Sequence, residues 1–80
     1  LEIHVENRGS QPVCIHSYID LEGEQGIERI DNLFPAGEQV IAPGDILAFY
    51  GQLDERTWEK SRTVVFFDTE GNRYPHLLNH

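Results

Sequence analysis

Residues 13–21 read VCIHSYIDL, and this stretch decides the fold. Its aliphatic side chains stand at odd-numbered positions only, at Val13, Ile15, Ile19 and Leu21. Successive side chains of an extended strand point to opposite faces, so this period of two predicts a β-strand with one buried face.

A second alternating stretch, LEIHVE at residues 1–6, precedes it. If both apolar faces point into one core, the two stretches form a hairpin in which Val5 faces Val13 and Ile3 faces Ile15. That register leaves the three-residue loop Arg8–Ser10, in which Gly9 is available for the left-handed conformation.

The rest of the chain predicts short extended segments separated by turns. Pro43-Gly44 suits a type II turn, and Gly71 supplies a left-handed residue in a later turn. Asp54 is placed to cap a short helix, which Leu53 and Trp58 would anchor. The predicted strands cover residues 27–30, 39–42, 46–50, 63–68 and 72–74, and the predicted helix covers residues 55–60.

Residues 64–67 read VVFF and are apolar on both faces, which is typical of a central strand. In total we expect about seven short strands and one helical insertion, an all-β pattern that favours an immunoglobulin-like antiparallel β-sandwich. A small β-barrel is the alternative. With 80 residues, the chain has apolar surface for a single domain, 1–80.

The charge balance excludes several classes of function. Fourteen acidic against six basic side chains leave a formal charge of −8. Nucleic-acid binding and attachment to anionic lipid both depend on clustered Lys and Arg, so we expect no nucleic-acid partner and no direct membrane contact from this segment. No pattern in the chain indicates a cellular compartment or an oligomeric state.

Three motifs resemble a known family. They are Ile3-x-Val5-x-Asn7-x-Gly9-x-x-Pro12-Val13-x-Ile15, then Pro43-Gly44-Asp45, and finally Val65-x-x-Asp68-Thr69-x-Gly71-x-x-Tyr74. Together they resemble the small immunoglobulin-like β-sandwich domain of short bacterial membrane-anchored proteins, most of them uncharacterised. The resemblance implies an architecture and no catalytic residue. In that family a hydrophobic helix precedes the domain. Because this chain begins with Leu1 rather than Met, we expect it to be part of a longer protein.

The predicted hairpin suggests a metal site. In its register His4 lies opposite Cys14, and Glu2 lies opposite His16, on one outward face. His and Cys side chains are ligands for zinc or copper, so His4, Cys14 and His16 are candidate metal ligands. The competing interpretation is an ordinary half-exposed strand face in which Cys14 behaves as a small apolar residue.

No pattern in the sequence indicates an enzyme or a resident cofactor. The chain has no G-x-S-x-G sequence and no glycine-rich phosphate loop. We expect a non-catalytic binding or accessory module that acts through protein contacts, with Tyr50 and Trp58 as candidate partner-binding residues. One alternative is an acidic inhibitor that occupies the basic, nucleic-acid-binding surface of a target protein. The other is the metal-binding domain.

Overall fold

The computed structural model describes residues 1–78. Within them, seven strands and one helix follow in chain order: β1 (Glu2–Glu6), β2 (Val13–Gly23), β3 (Gly26–Ile30), β4 (Gln39–Ile41), β5 (Ile46–Tyr50), α1 (Glu55–Lys60), β6 (Ser61–Asp68) and β7 (Arg73–Leu77). The predicted domain 1–80 also includes residues 79 and 80, which lie outside the described part.

The strands form two antiparallel sheets. The small sheet contains β1 and β5, and the large sheet has the order β3-β2-β6-β7, with β4 also paired to β2. The all-β, antiparallel prediction is confirmed, and the predicted alternative of a closed barrel is wrong. Strand β2 is long enough to pair with β4 at Val13–Ile15 and with β3 at Ile19–Gly23.

Both sheets contribute to one hydrophobic core. Strand β2 buries Ile15, Ile19 and Leu21 in it, and Phe49 of β5 is fully buried. The other buried members of this core are Ile30, Leu33, Ile41 and Val64. The alternation in residues 13–21 therefore predicted correctly which side chains of β2 face inward.

Several local predictions are confirmed. Helix α1 spans the expected six residues, and the side chain of Asp54 accepts a hydrogen bond from the backbone N–H of Arg56 (3.3 Å). Leu53 and Trp58 pack against the core from this insertion. Gly44 has the positive φ that a type II turn after Pro43 requires.

The predicted hairpin between β1 and β2 is wrong. Strand β1 pairs with β5 instead, with Ile3 opposite Phe49 and Val5 opposite Leu47. The chain thus crosses from the small sheet to the large one between residues 7 and 12, and Gly9 is not left-handed there. The alternation of β1 orients Ile3 and Val5 toward a core, but it is equally compatible with either neighbouring strand.

Asn7 joins three segments where β1 ends. It is buried, and its side-chain amide donates to the backbone carbonyls of Gln11 (2.8 Å) and Ile41 (2.9 Å). Its Oδ1 accepts from the N–H of Gly9 (2.9 Å), and its own N–H donates to the carbonyl of Asp45 (3.0 Å). The first two sequence motifs therefore meet at Asn7, whose backbone bonds to the Pro43-Gly44-Asp45 turn and whose side chain binds the crossover and the end of β4.

We expect Asn7→Asp to destabilise the fold by at least about 2 kcal/mol, because it removes two buried donors and turns a carboxylate toward two carbonyls. Urea denaturation followed by circular dichroism measures the loss. Asn32→Asp, at an exposed position, is the matched control and should stay within about 0.5 kcal/mol of the native chain. Equal effects of the two substitutions would contradict the structural role of Asn7.

Phe49 in the core and Phe66 beside it differ in burial, and we expect their substitutions by alanine to lower the free energy of unfolding by different amounts. Phe49 is 0% exposed, whereas Phe66 is only half-buried and packs against the rim of the core. Phe49→Ala should cost about 3–5 kcal/mol, and Phe66→Ala should cost clearly less, since less apolar contact is lost. Chemical denaturation of both variants tests this order, and the reverse order would mean that the core is misplaced.

Candidate partner-binding face

The outer surface of the small sheet carries a row of exposed apolar side chains. Strand β5 turns Leu47 and Phe49 inward, so Ile46, Ala48 and Tyr50 point outward. Ile46 is 61% exposed and Tyr50 is 49% exposed. An antiparallel strand of this kind normally places polar residues on its solvent side, so this row is unusual.

Phe34 extends the row beyond β5. It is 70% exposed and forms an isolated bridge with Tyr50, in which each backbone N–H donates to the other residue's carbonyl at 2.7 Å. Bridged residues turn their side chains to the same face, so Phe34 and Tyr50 lie beside each other on it. The neighbour of Phe34 in the chain, Leu33, is buried instead.

Strand β1 borders this row with charged side chains. Glu2 lies opposite Tyr50, His4 opposite Ala48 and Glu6 opposite Ile46. The Glu2 carboxylate contacts Nε2 of His4, and Glu6 accepts from Nε of Arg8 (2.7 Å). We call the surface formed by Phe34, Ile46, Ala48, Tyr50 and the three β1 residues the β1–β5 face. It is an apolar row with a mainly acidic border.

Of the two predicted partner-binding residues, only Tyr50 belongs to this face. Trp58 is half-buried and packs against the core from α1, so it serves the anchoring role that the sequence also suggested. Ile46 and Phe34 were missed. The segment ILAFY is apolar at every position, and a continuous apolar strand does not reveal which of its faces is solvent-exposed.

The predicted metal ligands are not brought together. His4 points outward from the small sheet, whereas Cys14 and His16 point outward from the large sheet, on the other side of the core. Cys14 lies opposite Val40 rather than His4, and the ring of His16 stacks on Tyr18 at 4.9 Å. In residues 1–78 no group of three His, Cys, Asp or Glu side chains is placed to hold a metal ion.

The middle of the outer face of the large sheet is occupied by its own side chains, and its exposed apolar residues Ile27, Val40 and Leu77 lie apart on strands β3, β4 and β7. The guanidinium of Arg29 lies 4.4 Å from the ring centroid of Tyr18 and 5.2 Å from that of Phe67. Arg29 also donates to both carboxylate oxygens of Asp20 (2.8 and 3.2 Å). These aromatic faces are already covered by a cation, so they offer little surface to a partner.

Asp68 organises the hairpin between β6 and β7. The Tyr74 hydroxyl donates to Oδ2 of Asp68 (2.6 Å). This hydrogen bond is the main cause that lowers the pKa of Asp68 to about 2, whereas partial burial acts to raise that pKa. Asn72 donates to the same carboxylate through its side chain and its backbone, and the backbone N–H of Glu70 does so as well. The same hydrogen bond raises the pKa of Tyr74. Two named residues of the third sequence motif, Asp68 and Tyr74, are therefore joined by a hydrogen bond across the hairpin.

Comparison with protein-family models, with curated proteins and with solved structures finds no match to this chain. Within the described residues no helix has the length and apolar character needed to cross a lipid bilayer.

We expect the acid stability of the fold to depend on Tyr74. Because the folded-state pKa of Asp68 is depressed, its ionised form stabilises the fold above the unfolded-state value of about 4, and this contribution is lost as the pH falls toward about 2. Tyr74→Phe should raise the pKa of Asp68 and make the loss of stability in that interval shallower. Thermal melts between about pH 2 and pH 6 measure it.

Tyr50→Phe is the matched control for this experiment, since it removes an exposed hydroxyl from the small sheet, whereas Asp68 lies on the large sheet. It should reproduce the acid profile of the native chain. If both tyrosine variants show the same profile, the hydrogen bond to Asp68 does not govern acid stability.

Proposed function

We propose that this chain is a non-catalytic protein-binding module whose partner docks on the β1–β5 face. The observation that carries the proposal is the row of exposed apolar side chains at Phe34, Ile46 and Tyr50 on an antiparallel sheet. Contiguous exposed apolar patches on small proteins are typical of protein interaction sites, because a partner that covers such a patch removes its apolar surface from water, which is favourable.

The composition of the row supports this use. Tyr and other aromatic side chains supply most of the binding energy in many interfaces, since they bury a large area with few rotatable bonds. Here the Phe34–Tyr50 bridge holds two aromatic residues side by side on hydrogen-bonded backbone. Little conformational entropy remains to be lost from the backbone on binding.

The border of the face defines the chemistry of the partner. Glu2 and Glu6 flank the apolar row, and the chain as a whole carries a charge of −8. Complementarity favours a protein with an apolar patch bordered by Lys or Arg side chains, and the net charge would accelerate its association at low salt.

The immunoglobulin-like assignment is part of this proposal. Two antiparallel sheets around a shared core support it, as do the Asn7 and Asp68 hubs that the family-like motifs encode. Such folds host many unrelated functions, so the proposed activity rests on the β1–β5 face and not on the fold.

The test begins with affinity capture from cells of the source organism, followed by reconstitution with each purified candidate partner. We expect the double variant Phe34→Ser/Ile46→Ser to weaken the reconstituted complex about tenfold or more, measured by isothermal titration calorimetry. The control is Ile27→Ser/Leu77→Ser, which removes two similarly exposed apolar side chains from the large sheet. Equal weakening by both double variants, or by neither, would refute docking on this face.

Salt dependence separates this function from that of an acidic inhibitor of a nucleic-acid-binding protein. Three of the six basic side chains, Arg8, Arg29 and Arg73, are already paired with carboxylates, so most of the charge that a partner meets is acidic. An inhibitor acting through that charge would lose affinity steeply with added salt and would be insensitive to Phe34→Ser/Ile46→Ser. If the partner docks on the apolar row, Phe34→Ser/Ile46→Ser weakens the complex, and added salt slows association but lowers the affinity only slightly.

A further inference from the structure

We propose that the free edge of β1 binds an extended peptide segment in which apolar and basic side chains alternate. The segment would add a strand to the small sheet and place its apolar side chains in the cleft between the two sheets. This site goes beyond the proposed function, because it uses the backbone of β1 and the interior of the cleft instead of the exposed row on β5.

The backbone of β1 has an unpaired side. Leu1 exchanges hydrogen bonds with Gly51 (2.9 and 3.0 Å), and the N–H of Asn7 donates to Asp45 (3.0 Å). Hydrogen-bonded and non-bonded pairs alternate in antiparallel sheets, so the odd-numbered residues between these ends bond to β5. The N–H and C=O groups of Glu2, His4 and Glu6 therefore point away from β5, where no strand of the described chain pairs with them.

An apolar cleft lies beside this edge. Its volume is about 420 Å³, and the ion pair of Glu6 and Arg8 lies at its edge. Its apolar lining comprises Val5, Val13, Ile15, Ile41, Phe66 and Tyr74. Clefts that bind ligands are commonly about 300–1,000 Å³ in volume. The opening explains why Phe66 is only half-buried, since the β1 edge and the β6–β7 hairpin do not close over it.

Register connects the edge to the cleft. Val5 turns its side chain toward the core, and the side chains of Glu2, His4 and Glu6 turn outward. A strand added beside β1 has the same alternation, so every second side chain enters the cleft next to Val5 and the others stand beside the outward row. The peptide side chains that enter the cleft must be apolar to fit its apolar lining.

Charge determines which side chains of the peptide suit the outward positions beside Glu2, His4 and Glu6. Cross-strand neighbours of Glu2 and Glu6 are favourable when they are Lys or Arg and unfavourable when they are acidic. Two copies of β1 paired antiparallel in full overlap would set Glu2 of each copy opposite Glu6 of the other. The edge thus disfavours pairing with itself, as natural edge strands commonly do, and favours a basic partner strand.

The test uses a fluorescent synthetic peptide that alternates lysine and valine. The control peptide has the same composition and the same charge, but its lysines and valines stand in two separate blocks instead of alternating. At physiological salt we expect the alternating peptide to bind about tenfold more tightly than the control, a difference in Kd that fluorescence anisotropy measures. Equal affinities would mean that only bulk charge attracts the peptide and would overturn the proposal.

His4→Pro tests the edge directly. It removes an N–H that faces away from β5, so the β1–β5 ladder keeps its hydrogen bonds while the edge loses a donor. The matched control is His4→Thr, which retains the N–H. We expect His4→Pro to weaken peptide binding about tenfold relative to His4→Thr, and equal binding would refute strand addition.

Amide hydrogen exchange of the native chain gives a readout that needs no variant. On adding the alternating peptide, the amides of Glu2, His4 and Glu6 should become protected, whereas unchanged exchange there would overturn the proposal. The Phe34→Ser/Ile46→Ser variant should bind the peptide as the native chain does. Loss of binding in that variant would assign the peptide to the β1–β5 face and refute the edge site.

Discussion

The burial of Ile15, Ile19 and Leu21 beneath Phe49 is the interaction on which the rest of the structure depends. These aliphatic side chains come from one face of β2, and β2 pairs with three other strands of the large sheet. The small sheet has only two strands and would not be stable alone. Packing Phe49 onto the side chains of β2 joins it to the large sheet and produces a single core.

This arrangement also explains where the candidate sites lie. The large sheet covers the middle of its outer surface with its own cation and aromatic rings, held by the Asp20–Arg29 pair. Within residues 1–78 no second layer covers the outer side of the small sheet, so the apolar residues that β5 carries there remain in water. The exposed row is thus a consequence of a two-stranded sheet whose strand β5 is apolar on both faces.

The polar hubs determine the geometry of the connections. Asn7 ties the crossover from the small sheet to the turn before β5, and Asp68 collects donors from the hairpin between β6 and β7. In each case one buried side chain supplies hydrogen bonds to several backbone groups of the connection. Asn7 itself lines the cleft beside β1, and so does Tyr74, whose hydroxyl is held by Asp68.

Local signals in the sequence determined the strand at Ile46–Tyr50, the capped helix at Glu55–Lys60 and the inward face of β2, since each depends on residues close together in the chain. They also identified Tyr50 as a partner-binding candidate. Only the tertiary structure decided that β1 pairs with β5, that His4 is separated from Cys14 by the core, and that Phe34 is exposed. The physical reason is that a period of two orients side chains toward a core without specifying the neighbouring strand. That choice depends on how distant segments pack together.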